Sequence, residues 1–155
     1  MTVLIIDDDP NYTYLVEQAL NGIADTILKA QSWKDAAPLI EQKPEVAWID
    51  LCIPPDGVHD SIEHIRVLRE KRVEMIIVIS SGYVEPYVAK ELNDLHVDAI
   101  MSKGGRFEPG QVAALVVLGM MRSADRGLRP DKEWLSHALQ IMKRRFPTIL
   151  IPSSQ

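Results

Sequence analysis

The feature that most constrains the fold is an alternation along the first 121 residues between short apolar runs and stretches of helical spacing. Each run is too short to be a helix and ends at polar or turn-forming residues, as buried strands do. The five predicted strands are Val3–Ile6, Thr26–Leu28, Val46–Ile49, Met75–Ile79 and Ala99–Met101. Because a helix in each connection must pack back onto the sheet, the pattern predicts an α/β fold with a doubly wound, five-stranded parallel sheet.

The predicted helices carry their own boundary features. Ser32 with Asp35 three residues later resembles a capping box at the start of the second helix, and Pro38 should kink or shorten that helix. Pro86 suits the first turn of the fourth helix. The strongly apolar stretch 111–121 predicts a fifth helix on the sheet.

Carboxylates gather where the predicted strands end. Asp7, Asp8 and Asp9 follow the first strand, and Asp50 follows the third. The carboxyl ends of parallel strands meet at one edge of the sheet, which is where such folds bind ligands. Crowded carboxylates repel one another unless a cation compensates, and hard oxygen ligands suit Mg²⁺. The sequence therefore predicts a metal site at this edge, although Asp9 before Pro10 is most simply a helix N-cap.

Two further groups at the same edge indicate phosphoryl transfer. Ser80 and Ser81 end the fourth strand, and Lys103 follows the fifth. The Asp50 carboxylate can attack a phosphorus atom, while a metal ion and Lys103 neutralise the phosphoryl oxygens and Ser81 donates a hydrogen bond to one of them.

Four motifs follow one another along residues 1–122: "LIIDDDP", "WIDLCIP", "VISSGY" and "AIMSKG". At these motifs the chain resembles the response-regulator receiver domains of two-component signalling, the CheY-like family. The resemblance implies the sheet order 2-1-3-4-5. It also implies that Asp50 is the phospho-acceptor and that Mg²⁺ or Mn²⁺ is held by Asp7, Asp8, Asp50 and the backbone carbonyl of Cys52.

The resemblance assigns further roles beside the acceptor. Ser81 is favoured over Ser80 as the switch hydroxyl because a small residue, Gly82, follows it, and Lys103 is the phosphoryl-binding lysine. In the family, residues two past the acceptor and two past the switch hydroxyl tune dephosphorylation, and here these are Cys52 and Tyr83. A bulky Tyr83 and a weakly polar Cys52 predict a long-lived phosphoform.

Two departures from the family pattern lie close to Lys103. Gly104 stands where most receivers have a proline after the lysine, often in a cis peptide. Ile100 stands where many receivers have an aromatic residue that swings inward when the switch hydroxyl moves. The aromatic readout of that family should therefore be absent or altered in this chain.

The resemblance implies a signalling switch that catalyses only its own phosphoryl transfer and dephosphorylation. It implies a sensor histidine kinase or a phosphotransfer protein as donor and a protein partner downstream. Two alternatives stay open. One is a pseudo-receiver that binds partners without phosphorylation, which Gly104 and Ile100 favour. The other is a phosphatase of the haloacid dehalogenase type, suggested by the spacing of Asp7 and Asp9, although that function leaves Asp50 without a role.

Composition places the chain among globular proteins, with 46% hydrophobic and 25% charged residues. The single cysteine, Cys52, excludes an internal disulfide. The longest apolar stretch, Val112 to Met121, is far shorter than the roughly 20 residues that span a bilayer. These features predict a cytoplasmic protein with no membrane association.

The C-terminal extension, residues 123–155, differs from the receiver-like part. Residues 122–155 hold 7 Lys and Arg against 3 Asp and Glu, whereas residues 1–121 hold 10 against 19. Residues 130–146 predict an amphipathic helix whose apolar stripe must be buried on the receiver, in a homodimer or on a partner protein. One helix does not make a helix-turn-helix, so DNA binding is not expected, and no output domain is recognisable.

Overall fold

The computed structural model describes residues 1–125 together with Ser136, Gln140 and Arg144. The first 125 residues alternate strictly between strands and helices. The strands are β1 (Thr2–Ile6), β2 (Thr26–Ala30), β3 (Val46–Ile49), β4 (Ile76–Ser81) and β5 (Ala99–Ser102). The helices are α1 (Pro10–Ala19), α2 (Trp33–Ile40), α3 (Val58–Lys71), α4 (Pro86–Asp94) and α5 (Pro109–Asp125).

The strands form one parallel sheet in the order β2-β1-β3-β4-β5, which confirms the predicted fold. The chain winds in one direction from β1 to β2 and in the other from β3 to β5. The order therefore reverses beside β1, and the carboxyl ends of β1 and β3 border the crevice that this reversal opens. The register pairs Ile6 with Ile49, which places Asp7 and Asp50 side by side.

The sheet is buried on both faces, as the apolar strands predict. On one face α1 and α5 cover the sheet, and on the other α2, α3 and α4 do so. The first core contains Val16, Val116, Val3, Trp48 and Val78, and the second contains Ile65, Leu92, Leu4, Ile49 and Ile77. Within the described residues, no helix is long and apolar enough to cross a bilayer.

Several local predictions can be compared with the structure. The Ser32 Oγ accepts a hydrogen bond from the Asp35 amide, and α2, which contains Pro38, has only 8 residues. The β4 strand continues to Ser81, two residues beyond its predicted end, because Ser80 and Ser81 pair with β5. The helix predicted over residues 130–146 lies outside the described residues except for three exposed helical positions.

Gly119 lies on α5 where this helix packs closely against the sheet. A Cβ atom at this position would lie 2.5 Å from Cγ2 of Ile76 and 3.3 Å from Cβ of Asp98. Gly119→Ala should lower the free energy of unfolding, because overpacking a core costs about 1–3 kcal/mol and alanine recovers only about 1 kcal/mol as a better helix former. Urea denaturation measures the change. The loss should be smaller in an Ile76→Ala background, and equal losses in both backgrounds would contradict the proposed clash.

Candidate functional site

The candidate site is built on the carboxyl ends of β1 and β3. The Asp7 amide donates to the Ala30 carbonyl at 3.0 Å and the Asp50 amide donates to the Ile6 carbonyl at 2.9 Å, so both residues continue the sheet pairing. Asp7 is 1% exposed and Asp50 is 6% exposed, whereas Asp8 is exposed. Carboxylate oxygens from all three lie within 4.8 Å of one another. The register of the sheet thus brings these acids together as predicted.

Lys103 at the end of β5 bridges the two buried carboxylates. Its Nζ atom donates to Oδ2 of Asp7 at 2.6 Å and to Oδ2 of Asp50 at 2.9 Å. Its backbone amide donates to the Ser81 carbonyl at 2.7 Å, which joins the ends of β4 and β5. One ammonium group therefore compensates two carboxylates that would otherwise repel each other.

The pKa values of these groups follow from burial and pairing. Burial raises the pKa of Asp7 above its usual value, although the hydrogen bond from Lys103 opposes this rise. Burial lowers the pKa of Lys103, but the hydrogen bonds to Asp50 and Asp7 outweigh it, so the pKa of Lys103 lies above its usual value. Lys103 is therefore charged at neutral pH.

The two oxygens of the Asp50 carboxylate have different partners. Oδ1 accepts hydrogen bonds from Ser81 Oγ at 3.0 Å and from the Cys52 amide at 3.1 Å, while Oδ2 accepts from Lys103. Ser80 lies next to Ser81 on β4 but projects to the other face of the sheet, where its hydroxyl contacts Tyr12. The structure therefore places Ser81, and not Ser80, against Asp50.

The other predicted positions surround this centre. Gly82 is exposed, and a Cβ atom at that position would meet nothing within 4 Å. Tyr83 is 74% exposed, and Cys52 is also exposed. Ile100 is half-buried against the core on the α2, α3 and α4 face of the sheet. Asp9 caps α1, since its Oδ1 accepts from the amides of the next two non-proline residues.

Tyr12 on α1 belongs to the site but was not predicted from the sequence. Its ring lies under the Lys103 ammonium, with Nζ 4.3 Å from the ring centroid. Its hydroxyl oxygen is 2.8 Å from Ser80 Oγ, and Phe107 packs edge-on against the ring at a centroid distance of 5.7 Å. In the sequence Tyr12 is one of several apolar residues at helical spacing. Its position in the first turn after the acidic run was the feature that could have indicated the site.

The donors at this edge fit a hard divalent cation. Three carboxylates with oxygens close enough to share one ion are the ligand type that Mg²⁺ and Mn²⁺ prefer. Asp8 is exposed, so the cluster is reachable from solvent. The cluster therefore has both the chemistry and the access for a metal ion.

The fold is that of the response-regulator receiver domains, which is the class that the four motifs predicted. The CheY-like receiver domain from Methanospirillum hungatei is 17% identical with a TM-score of 0.70, over 81% of this chain and 97% of that one. The isolated REC domain of RcsB from Salmonella enterica, in the presence of phosphomimetic BeF₃⁻, is 20% identical with a TM-score of 0.62, over 89% and 97%.

A third similar structure is a response regulator from Burkholderia pseudomallei with a phosphorylated aspartic acid, a calcium ion and citrate. It is 16% identical with a TM-score of 0.65, over 81% of this chain and 70% of that one. No model of a known family matches the chain, and no curated protein matches it in sequence. The likeness therefore shows the receiver fold and leaves the function to be argued from the site.

Proposed function

We propose that this chain is a receiver that accepts a phosphoryl group on Asp50 from a phosphohistidine of a sensor histidine kinase or a phosphotransfer protein. The observation that carries the proposal is the Asp50 carboxylate itself. It is buried at the strand-order reversal, and each of its oxygens has a fixed donor, Ser81 on one and Lys103 on the other. A nucleophile oriented in this way is prepared for in-line attack on phosphorus.

In the transfer, an oxygen of Asp50 forms a bond to phosphorus as the bond from phosphorus to the donor imidazole nitrogen breaks. The electron pair of that bond stays on the imidazole nitrogen, and Asp50 becomes an acyl phosphate. Asp7, Asp8, Asp50 and the Cys52 carbonyl would hold Mg²⁺ or Mn²⁺, which supplies positive charge to the phosphoryl oxygens. Ser81 and Lys103 already contact Asp50 and can donate to those oxygens, while Gly82 leaves room beside them.

The output of the switch is a change in the contacts that this chain makes with other proteins. Ser81 ends β4, and Lys103 follows β5 and is tied to Ser81 through the backbone. A new phosphoryl group that binds both side chains would therefore bias the segments around β4, α4 and β5 together. Ile100, which stands where many receivers have an aromatic residue, lies on β5 close to this region. The partner that responds is a downstream protein or a second copy of the chain.

Two observations favour this function over the alternatives. The phosphatase alternative needs Asp9 as a second catalytic acid, but the Asp9 carboxylate caps α1. A pseudo-receiver has no need for a buried acceptor, yet Asp50, Ser81 and Lys103 form a connected set in this chain. The proposal therefore gives a role to each polar side chain at the centre of the site.

The proposal is tested by incubating the protein with acetyl phosphate and measuring its intact mass, with Mg²⁺ present and after removal with EDTA. We expect a gain of one phosphoryl group that needs the metal. Beryllofluoride with Mg²⁺ should reproduce the effect as a stable complex. Analytical ultracentrifugation on the same samples reports whether the modified form associates. A protein that folds but gains no mass and shows no response to Mg²⁺ would be a pseudo-receiver.

Tyr83 provides a separate prediction about the lifetime of the phosphoform. Its large side chain two residues after Ser81 is expected to obstruct the attacking water, so Tyr83→Ala should speed the loss of the phosphoryl group severalfold. The measurement is the decay of the phosphorylated mass after the donor is removed. Tyr87→Ala is the matched control, because Tyr87 is also an exposed aromatic residue and lies on α4. An unchanged decay in Tyr83→Ala contradicts the obstruction.

A further inference from the structure

We propose that Tyr12 is a positioning residue for phosphoryl transfer, because its ring holds the Lys103 ammonium in place across the two buried carboxylates. This inference rests on the proposed function. Lys103 is the group that must reach the phosphoryl oxygens, so its orientation before the reaction sets how readily they are stabilised. Tyr12 would act through Lys103 and not by touching the reacting atoms.

The contact has the geometry of a cation–π interaction. The Lys103 Nζ atom is 4.3 Å from the centroid of the Tyr12 ring, within the distance at which the ring face attracts a cation. The Lys103 side chain is only 18% exposed, so water screens the attraction weakly. The same ammonium donates to Asp7 and Asp50. The two carboxylates and the ring therefore jointly fix the position of the ammonium.

The Tyr12 ring is itself held on two sides. Its hydroxyl is hydrogen-bonded to Ser80 on β4, and the Phe107 ring makes a T-shaped contact with it at an interplanar angle of 87°. Tyr12 also lies in the first turn of α1, which Asp9 caps through the amides of Asn11 and Tyr12. Tyr12 is thus restrained at its backbone and at its hydroxyl, so its ring can restrict the position of the flexible Lys103 side chain.

The backbone around Lys103 explains why such support is needed. Gly104 and Gly105 follow the lysine, and Gly105 has a φ of 87°, a conformation that favours glycine. Two glycines restrain the chain less than other residues would, and the lysine side chain is a flexible stem that carries a point charge. The amide bond from Lys103 to Ser81 fixes the main chain only. Contacts of the side chain, and those of the Tyr12 ring in particular, must then fix the position of the ammonium.

The ring restricts where the ammonium can go during the reaction. When Asp50 takes up the phosphoryl group, the Lys103 ammonium must give up its hydrogen bond to Asp50 and donate to a phosphoryl oxygen instead. The ring blocks one side of this path, so the ammonium moves across the carboxylates and stays within reach of the new oxygens. Without the ring, Lys103 would sample more conformers, fewer of which stabilise the transferred group.

The test uses the full chain and two independent measurements. In NMR spectra, the side-chain methylene protons of Lys103 should be shielded by the Tyr12 ring in the wild type, unshielded in Tyr12→Leu and shielded again in Tyr12→Phe. The rate of Mg²⁺-dependent modification by acetyl phosphate should fall about threefold to tenfold in Tyr12→Leu, the size expected of one partly desolvated cation–π contact. Tyr12→Phe should recover most of that rate. Tyr14→Leu makes the same change at an exposed position on α1 and should behave as wild type.

The outcomes separate this inference from the proposed function. A wild type that takes up no phosphoryl group overturns both. A wild type that is modified while the folded Tyr12→Leu variant reacts within twofold of it overturns only the role of Tyr12. A merely structural role would lower the stability of Tyr12→Leu while its folded fraction still reacted at the wild-type rate. If Tyr12→Leu does not fold, the wild type and Tyr12→Phe still decide. Shielded Lys103 protons in the wild type, together with a rate of modification near that of the wild type in Tyr12→Phe, support the inference. Unshielded protons in the wild type, or slow modification of Tyr12→Phe, overturn it.

Discussion

Asp50→Asn should abolish the metal-dependent gain of a phosphoryl group. The amide of asparagine matches the carboxylate in shape and can still accept hydrogen bonds from Ser81 and the Cys52 amide. It is not a nucleophile toward phosphorus and removes one charge from the acidic cluster. The expected result in the intact-mass assay is therefore no adduct in a protein that remains folded, with circular dichroism as the check on folding.

Asp9→Asn is the matched control for this experiment. It makes the same change in the same acidic strand-end region, but Asp9 serves as the N-cap of α1, where asparagine caps as well as aspartate does. The control should be modified at the rate of the wild type. An adduct that persists in Asp50→Asn would move the acceptor to another acid, such as Asp7 or Asp8, and peptide mapping of the adduct would identify it.

Arg69→Ala should cause a large loss of stability. Arg69 on α3 is paired with Asp98 just before β5, and the distance between Nη2 and Oδ2 is 3.2 Å. The Asp98 side chain is completely buried and also accepts from the Ile77 amide at 2.8 Å. Removing the guanidinium takes a cation away from this buried carboxylate, which costs about 3–5 kcal/mol.

Arg69 also joins segments that are far apart in the sequence. Its guanidinium donates to the carbonyls of Met75 at 2.6 Å and His96 at 2.8 Å, the first just before β4 and the second shortly before β5. These contacts lie at the amino ends of the strands, opposite to the acidic cluster. Their loss should therefore lower stability without altering the chemistry of Asp50.

Urea denaturation of Arg69→Ala and Arg66→Ala separates the buried pair from an ordinary surface pair. Arg66 lies on the same helix and pairs with Glu63 at 3.3 Å, but both side chains are largely exposed. Its removal should change the free energy of unfolding by less than about 0.5 kcal/mol. A similar small change in Arg69→Ala would show that Asp98 is not stabilised by the arginine.

The fold and the acids of the site were accessible from local features of the sequence. Short apolar runs identify strands buried on both faces, and the residues that follow each run, such as Asp7 and Asp50, must meet at one edge of a parallel sheet. Both features depend only on periodicity and position along the chain. The strand order itself came from the resemblance to a known family and was confirmed by the structure.

Strand ends and side-chain partners were decided by contacts between distant residues. β4 runs to Ser81 because β5 pairs with it, although Ser-Ser-Gly in the sequence is typical of a turn. Lys103 reaches Asp7 across 96 positions and Asp50 across 53. A local sequence pattern does not specify which of two carboxylates a lysine pairs with, and Lys103 pairs with both.

Tyr12 shows most clearly what only the tertiary structure decided. Its spacing in α1 predicts an apolar residue on the sheet, and it does pack against that core. The same side chain also lies under Lys103 and bonds to Ser80, because α1, β4 and the residues after β5 converge at one edge. Periodicity determines which face of a helix is buried, since it repeats along one segment. Which side chains meet at that face depends on how separate segments pack, and this follows only from the folded chain.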